Sequence, residues 1–287
     1  MQVFMPNFPG NRENFELIKS YTRTAFSGWF DPFDSMTGGL YEGQTIMIGG
    51  ATGAGKTSLA VNLARKLGQS CNVVYISTET SFVEIAKRVL EKYDKYEDIP
   101  PMSLTIFDED DENAPVRHKG IRFTPEYYNL DNADVILLDY IKSDTLEAVE
   151  GSRTMRELVD TWRRFAEKTK KSVVLFTQIR DINVRTDNVQ FTDFWLSTSM
   201  VQPCYAVLGI SRIKSQKGYS EVAVDVIKNR NQGPGNMTVG RFCLKIDTNN
   251  CEIIDYTSPF TFSEIKDNMK NLIYENAARN FLGDINV

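Results

Sequence analysis

Histidine is almost missing from this chain: His118 is the single one in 287 residues. Cysteine is sparse as well, and Cys71, Cys204, Cys243 and Cys251 form no CxxC pair. Those two shortages exclude a zinc site of ordinary ligand spacing and a histidine-based catalytic triad. Four unpaired thiols suit a reducing compartment. Positive charge is not in excess, since 33 Lys and Arg face 38 Asp and Glu for a net charge of −5. A surface coated with cations for indiscriminate nucleic-acid binding is thereby excluded, although a basic loop on an acidic body is not. Long apolar runs are lacking too. The longest uncharged stretch, around Leu196–Ser211, contains Ser, Gln and Pro and is too short and polar to span a bilayer. Met1–Gly10 has neither the basic start nor the apolar stretch of a signal peptide. The expected location is cytoplasmic, or host cytoplasm if the chain is viral, with no membrane partner.

What remains is an ordinary globular composition, 41% hydrophobic and 25% charged, in a chain long enough to bury a full core without disulfides. Apolar runs alternate with helical patterns. Strands are expected at 45–50, 72–77, 103–107, 133–140 and 172–178. Helices are expected at 56–68, at 80–95 with Phe82, Ile85, Ala86 and Val89 on one face, and at 153–170 with Met155, Leu158, Val159, Trp162, Phe165 and Ala166 on its apolar side. Apolar strands separated by helices predict an α/β fold with a mainly parallel sheet covered on both faces. The last third changes character: 205–211, 221–228, 239–246 and 251–256 follow one another with turns between, which predicts an antiparallel extension. Residues 13–26, with Phe15, Leu17, Ile18 and Tyr21 among charges, read as a short amphipathic helix that either packs on its own domain or docks on a neighbouring subunit, residues 263–281 as a final helix, and Asp108–Glu112 as a solvated acidic loop.

One motif carries chemistry at every fixed position. Gly50-Ala51-Thr52-Gly53-Ala54-Gly55-Lys56-Thr57 fits G-x-x-x-x-G-K-[ST], preceded by an apolar strand and opening a helix through Ser58. Such a loop points backbone N–H groups at phosphates, and the helix N-terminus adds its dipole. Lys56 is placed to reach the β and γ phosphates, and the Thr57 hydroxyl to ligate Mg²⁺. Asp139 ends the strand Val135–Asp139, at the mouth of the sheet where ligands bind, and is the second expected Mg²⁺ residue. The implied cofactors are ATP and Mg²⁺. Glu79 follows the strand at 72–77, where a carboxylate can polarise an attacking water; a helix-capping role is the competing reading. Gln178 ends the strand at 172–178 and is a candidate γ-phosphate sensor.

With these residues placed, the chain resembles the DnaB-type, RecA-like hexameric replicative DNA helicases over roughly residues 26–256. Phe33-Asp34, Thr37-Gly38-Gly39-Leu40 and Glu42-Gly43 look like that family's lead-in to its P-loop. Ser77-Thr78-Glu79-Thr80, with Arg88 beyond, is similar to its S-L-E-M segment. Ile136–Tyr140 resembles its Walker B strand, Thr177-Gln178-Ile179-Arg180 its S-Q-L-x-R strand end, and Asp193 and Ser197 its D-L-x-x-S segment. Lys228-Asn229-Arg230-Asn231-Gln232-Gly233-Pro234-Gly235 looks like its K-x-R-N-G-P-T-G segment, with Gln232 intervening. The resemblance implies that Glu79 activates water and that Lys228 and Arg230 act in trans on a neighbouring subunit's phosphate. It further implies a ring of six, movement on single-stranded DNA and a loop after Gln178, carrying Arg180 and Arg185, that grips the strand. Lys142–Arg153 is a second DNA-contact candidate. Phe194 and Trp195 suit core or subunit contacts better than base stacking.

The organisation expected on this reading is a tail and linker helix at 1–27, a RecA-like ATPase domain at 28–257, and a C-terminal helix and tail at 258–287. No room remains for the family's N-terminal primase-binding domain, which suggests a phage-like form working with a separate primase, loader or single-strand-binding protein. Two rivals stand beside it. One is a RecA-type strand-exchange recombinase, because Thr177–Arg180 and Lys228–Arg230 also resemble its segments. The other is a RecA-like switch or loader that binds ATP to recruit partners.

Overall fold

The computed structural model describes residues 25–26, 31–108, 124–141, 148–179, 189–194, 200–230 and 239–257. The helices expected at 13–26 and 263–281, the DNA-contact candidates Arg180 and Arg185, Trp195, Ser197 and the turn at 231–235 lie outside them, apart from residues 25 and 26. A two-stranded ribbon, β1 (Ala25–Phe26) with β2 (Leu40–Tyr41), flanks the first short helix, α1 (Asp31–Thr37). Phe33, Met36 and Leu40 of this lead-in are wholly buried, and the Thr37 hydroxyl donates to the Phe33 carbonyl, so the segment is part of the core.

The body is a nine-stranded sheet. In chain order its strands are β3 (Thr45–Gly50), β4 (Asn72–Ser77), β5 (Ser103–Phe107), β6 (Val135–Ile141), β7 (Ser172–Gln178), β8 (Ala206–Gln216), β9 (Tyr219–Asn229), β10 (Gly240–Asp247) and β11 (Ile253–Tyr256). In space they run β11-β10-β9-β8-β3-β7-β6-β4-β5. From β8 to β5 every pairing is parallel, and from β8 outward to β11 every pairing is antiparallel. The expected antiparallel extension is therefore present. Its first member, β8, also belongs to the parallel set through β3.

Both faces of β3, β4, β6 and β7 are buried, which is why they read as continuous apolar runs rather than alternating ones, while β5 at the edge is only partly covered. Successive residues serve opposite faces. Ile46, Ile48, Val135 and Leu137 pack on the side of α2 (Lys56–Gly68), while Met47, Ile136 and Leu138 pack with Trp162 of α4 (Ala148–Thr169) on the other. Trp162 is fully buried, and a side chain of that kind contributes roughly 3 kcal/mol through burial alone.

The helix expected at 80–95 is shorter, α3 (Phe82–Leu90), and its apolar face is narrower than expected. Ile85 and Val89 are buried, but Phe82 is 48% exposed and points away from the core with Val83 and Leu90. Ser81 fixes where α3 begins, its hydroxyl accepting from the Glu84 amide. Asp108, first of the acidic run, accepts from the Phe82 amide at 2.5 Å; residues 109–112 lie outside the described ones.

Candidate functional site

The residues of the site come from the carboxyl ends of β3, β4, β6 and β7, which lie side by side because these strands are parallel and adjacent in space. β3 delivers the P-loop, and α2 opens at Lys56 immediately after it. Gly55, its N-cap, has φ 104°, a backbone region open to glycine at little cost. Gly50 approaches β8 so closely that a Cβ there would stand 2.5 Å from Ile210 Cγ1.

Lys56 is 9% exposed, and its ammonium donates to the carbonyls of Gly50 at 2.8 Å and Ala51 at 3.0 Å. Burial lowers its pKa, while the charges of Asp139 and Glu79 oppose that shift. Asp139 is 5% exposed; its Oδ2 accepts from the Tyr75 hydroxyl at 2.7 Å, and its carboxylate is also hydrogen-bonded by Thr57. Burial raises its pKa, and the hydrogen bonds from Tyr75 and Thr57 and the charge of Lys56 pull it back. Asp139 thus faces the P-loop helix rather than capping the turn that follows it. One carboxylate and one hydroxyl in contact form a hard oxygen pair of the kind that would suit Mg²⁺. Among the described residues no group of three or more His, Cys, Asp or Glu gathers to hold a metal by itself.

Glu79 sits in the link between β4 and α3. The cap of α3 is Ser81, so the competing capping role for Glu79 is not the one it plays. Its Oε1 accepts from the Tyr140 hydroxyl at 2.6 Å. Gln178 lies beside Gly50 in the β3–β7 register, and its amide donates to the Thr52 hydroxyl at 2.9 Å, joining the end of β7 to the P-loop.

Lys228 and Arg230 lie elsewhere. Gly50 pairs with Ile210 on β8, whereas Lys228 pairs with Val207 and the Arg230 amide bonds the Tyr205 carbonyl. Three and five residues along β8 put their backbones roughly 10 and 17 Å below the level of Gly50, at about 3.3 Å per residue and away from the P-loop. Their heads turn to that far end as well. The Lys228 ammonium donates to the carbonyls of Val201 at 3.1 Å and Gln202 at 2.6 Å, and Arg230 donates to Gln202 at 3.0 Å. Burial, then the neighbouring Arg230 charge, pushes the Lys228 pKa down to about 8. The structure therefore gathers Lys56, Thr57, Asp139, Glu79 and Gln178 in one place and keeps Lys228 and Arg230 out of it.

One residue at the site escaped sequence reasoning, and another was read only as the end of a motif. Arg212 of β8 reaches over the loop, its Nη2 4.0 Å from where a Cβ on Gly53 would stand. Tyr140 neighbours both Glu79 and Lys56: its hydroxyl donates to Glu79, and the Lys56 ammonium lies 5.9 Å from its ring centroid. No motif spacing marks Arg212, because its place depends on β8 pairing beside β3. Phe194, as expected, is core: it is 2% exposed and packs against Gly49. Asp193 caps a short turn, accepting from the Gln190 amide.

A family model described as an AAA domain matches residues 26–180. Among solved structures the fold is shared with that of "a DnaB-like replicative helicase and its interactions with primase", at TM-score 0.63 and 16% identity, over 86% of this chain and 68% of that one. It is also shared with a second solved structure, described as an ATPase domain, at TM-score 0.59 and 17% identity, over 85% of this chain and 96% of that one. Among curated proteins, the DNA repair protein RadA of Escherichia coli (strain K12) is 39% identical over 64 residues. RadA of Salmonella typhimurium is 38% identical over 64 residues. Those stretches are 22% of this chain and span only 14% of either RadA.

Proposed function

The chain belongs to the AAA domain family, and on that premise we propose that it is a replicative DNA helicase, an ATP hydrolase that moves along single-stranded DNA as a ring and separates the duplex at a fork. The observation that carries this reading is the position of Lys228 and Arg230. Two cations aimed together, at the far end of the sheet from their own P-loop, have no phosphate to serve within the same subunit. A second copy that set its P-loop against this end would receive them, which is the geometry of a ring with ATP at each subunit junction.

In that assembly Lys56 and the loop amides hold the β and γ phosphates, and Thr57 and Asp139 would hold Mg²⁺. Bound there, the ion would neutralise phosphate charge. Glu79 accepts a proton from the attacking water. Arg230 and Lys228, supplied by the neighbour, stabilise the charge that develops on the transferring group. Arg212 adds a cation above the loop from within the same subunit. Gln178, tied to Thr52, exchanges that bond for the γ-phosphate and shifts the segment after β7, where Arg180 and Arg185 grip the strand. Phosphate contacts repeated around a ring give salt-sensitive binding with little sequence preference.

The exposed apolar face of α3, formed by Phe82, Val83 and Leu90, offers a seat for the amphipathic segment 13–26 of another copy. A recombinase or repair role is the second reading, and the RadA similarity favours it. Strand separation decides between them. With ATP and Mg²⁺ the purified chain is expected to displace the labelled strand of a forked duplex and to form closed rings in negative stain, with Lys56→Ala inactive. Filaments that pair homologous strands without displacing the fork would transfer the assignment to the recombinase.

A further inference from the structure

An exposed glutamate is a poor general base unless something holds it, because a free side chain of this length spreads over many rotamers. Glu79 is exposed and lies on a short link between β4 and the capped start of α3. What holds it comes from another strand: the Tyr140 hydroxyl donates to Oε1 at 2.6 Å. Tyr140 is itself held from the same link. The Thr78 hydroxyl donates to the Tyr140 carbonyl at 2.7 Å and accepts from the Tyr140 amide at 3.2 Å, and the Thr78 amide donates to the Asp139 carbonyl at 2.9 Å. Thr78 is fully buried, so water does not compete for these bonds.

The ends of β4 and β6 are thereby joined by one backbone bond, by two bonds through the Thr78 hydroxyl and by the phenol–carboxylate bond. With one carboxylate oxygen fixed by the phenol, the other is presented at a defined angle. The Lys56 ammonium lies 5.9 Å from the centroid of the same ring.

We propose that Tyr140 is a positioning residue for the ATPase reaction, holding the Glu79 carboxylate in the orientation from which it takes the proton of the attacking water, with Thr78 fixing Tyr140 in turn. The proposal rests on Glu79 being the base.

Tyr140→Phe keeps the ring and its contact with Lys56 and removes only the hydroxyl. Its kcat for ATP hydrolysis is expected to fall about tenfold, the loss ordinary for one hydrogen bond to a charged group. The dissociation constant for a fluorescent ATP analogue should stay within about twofold, since the face that the ring turns to Lys56 is unchanged. Thr78→Val, which unlocks Tyr140 from the link, should lower kcat in the same direction. Glu79→Gln should remove nearly all turnover, and adding Tyr140→Phe to it should cost nothing further, because the phenol acts only through the carboxylate. If Glu79→Gln is inactive while Tyr140→Phe turns over within about twofold of the parent chain, the positioning role is wrong and the base stands. If Tyr140→Phe weakens nucleotide binding as much as it lowers kcat, the residue belongs to the binding site and the proposal also falls. If Glu79→Gln keeps its turnover, the base assignment fails and takes this inference with it.

Discussion

The two ends of the sheet are built on opposite plans. At the carboxyl end of the parallel strands, Lys56, Thr57, Asp139, Glu79 and Gln178 are engaged with one another, with Tyr75 and Tyr140, and with the loop itself. At the other end Lys228 and Arg230 stand close together, their charges facing backbone carbonyls of Val201 and Gln202 rather than a carboxylate. A like-charged pair is costly to hold together, and the lowered pKa of Lys228, set first by burial and then by Arg230, carries part of that cost. The contrast is the one the proposed ring requires: two half-sites on one subunit, each finished by another copy.

The largest expected effect lies at the P-loop end. Asp139→Asn should reduce ATP turnover by at least ~100-fold, as loss of a major electrostatic contact does. The same change should not weaken the fold. The folded-state pKa of Asp139 is raised above its unfolded value by burial, so its ionised form costs stability at neutral pH, and that cost is relieved as pH falls through the folded value. The asparagine chain should therefore melt at the same temperature or higher in a thermal scan without nucleotide. A melting point several degrees lower would mean that Asp139 is there to hold the structure.

A smaller effect is expected on assembly. Val83→Glu places a charge on the exposed face of α3, where Val83 is 70% exposed, so the subunit should stay folded. Its sedimentation with ATP analogue and single-stranded DNA should shift toward single chains. Unchanged rings would remove α3 from the contact between copies.

The smallest effect is a titration at the far end. Lys228 should become reactive toward acetic anhydride with an apparent pKa of about 8, well below that of an ordinary lysine. It is cationic below that pH and loses its charge as pH rises through it. Arg230→Ala should raise the value, since it removes the neighbouring positive charge. Labelling of Lys228 at the ordinary lysine pKa would show that the two cations do not share an environment.

Much of this is legible in the residues, and what is not depends on pairing across the chain. The strand, loop and helix around Gly50–Thr57 are contiguous, so local spacing is enough. Asp139 and Glu79 can be found because ends of parallel strands share one rim. The outward turn of Phe82 is not readable, since periodicity identifies a stripe of apolar residues but not how much of it a neighbour covers. Arg212 escapes for a related reason, because it depends on β8 lying beside β3; Tyr140 is readable as the end of a motif, but its bond to Glu79 depends on β6 lying beside β4. The alternation of Lys228 and Arg230 along a strand is readable, while their distance from their own P-loop requires the sheet order.

Whether each catalytic site is shared between two copies is decided by mixing two differently damaged chains. Lys56→Ala spoils the P-loop half and Arg230→Ala the far half, so each chain alone should hydrolyse little ATP. Equal mixtures should regain activity, because about a quarter of the junctions in a randomly assembled ring pair an intact P-loop with an intact arginine. Recovery to about that share of the parent rate is the predicted result. A mixture as inactive as its components, in rings shown to contain both chains, would contradict the account.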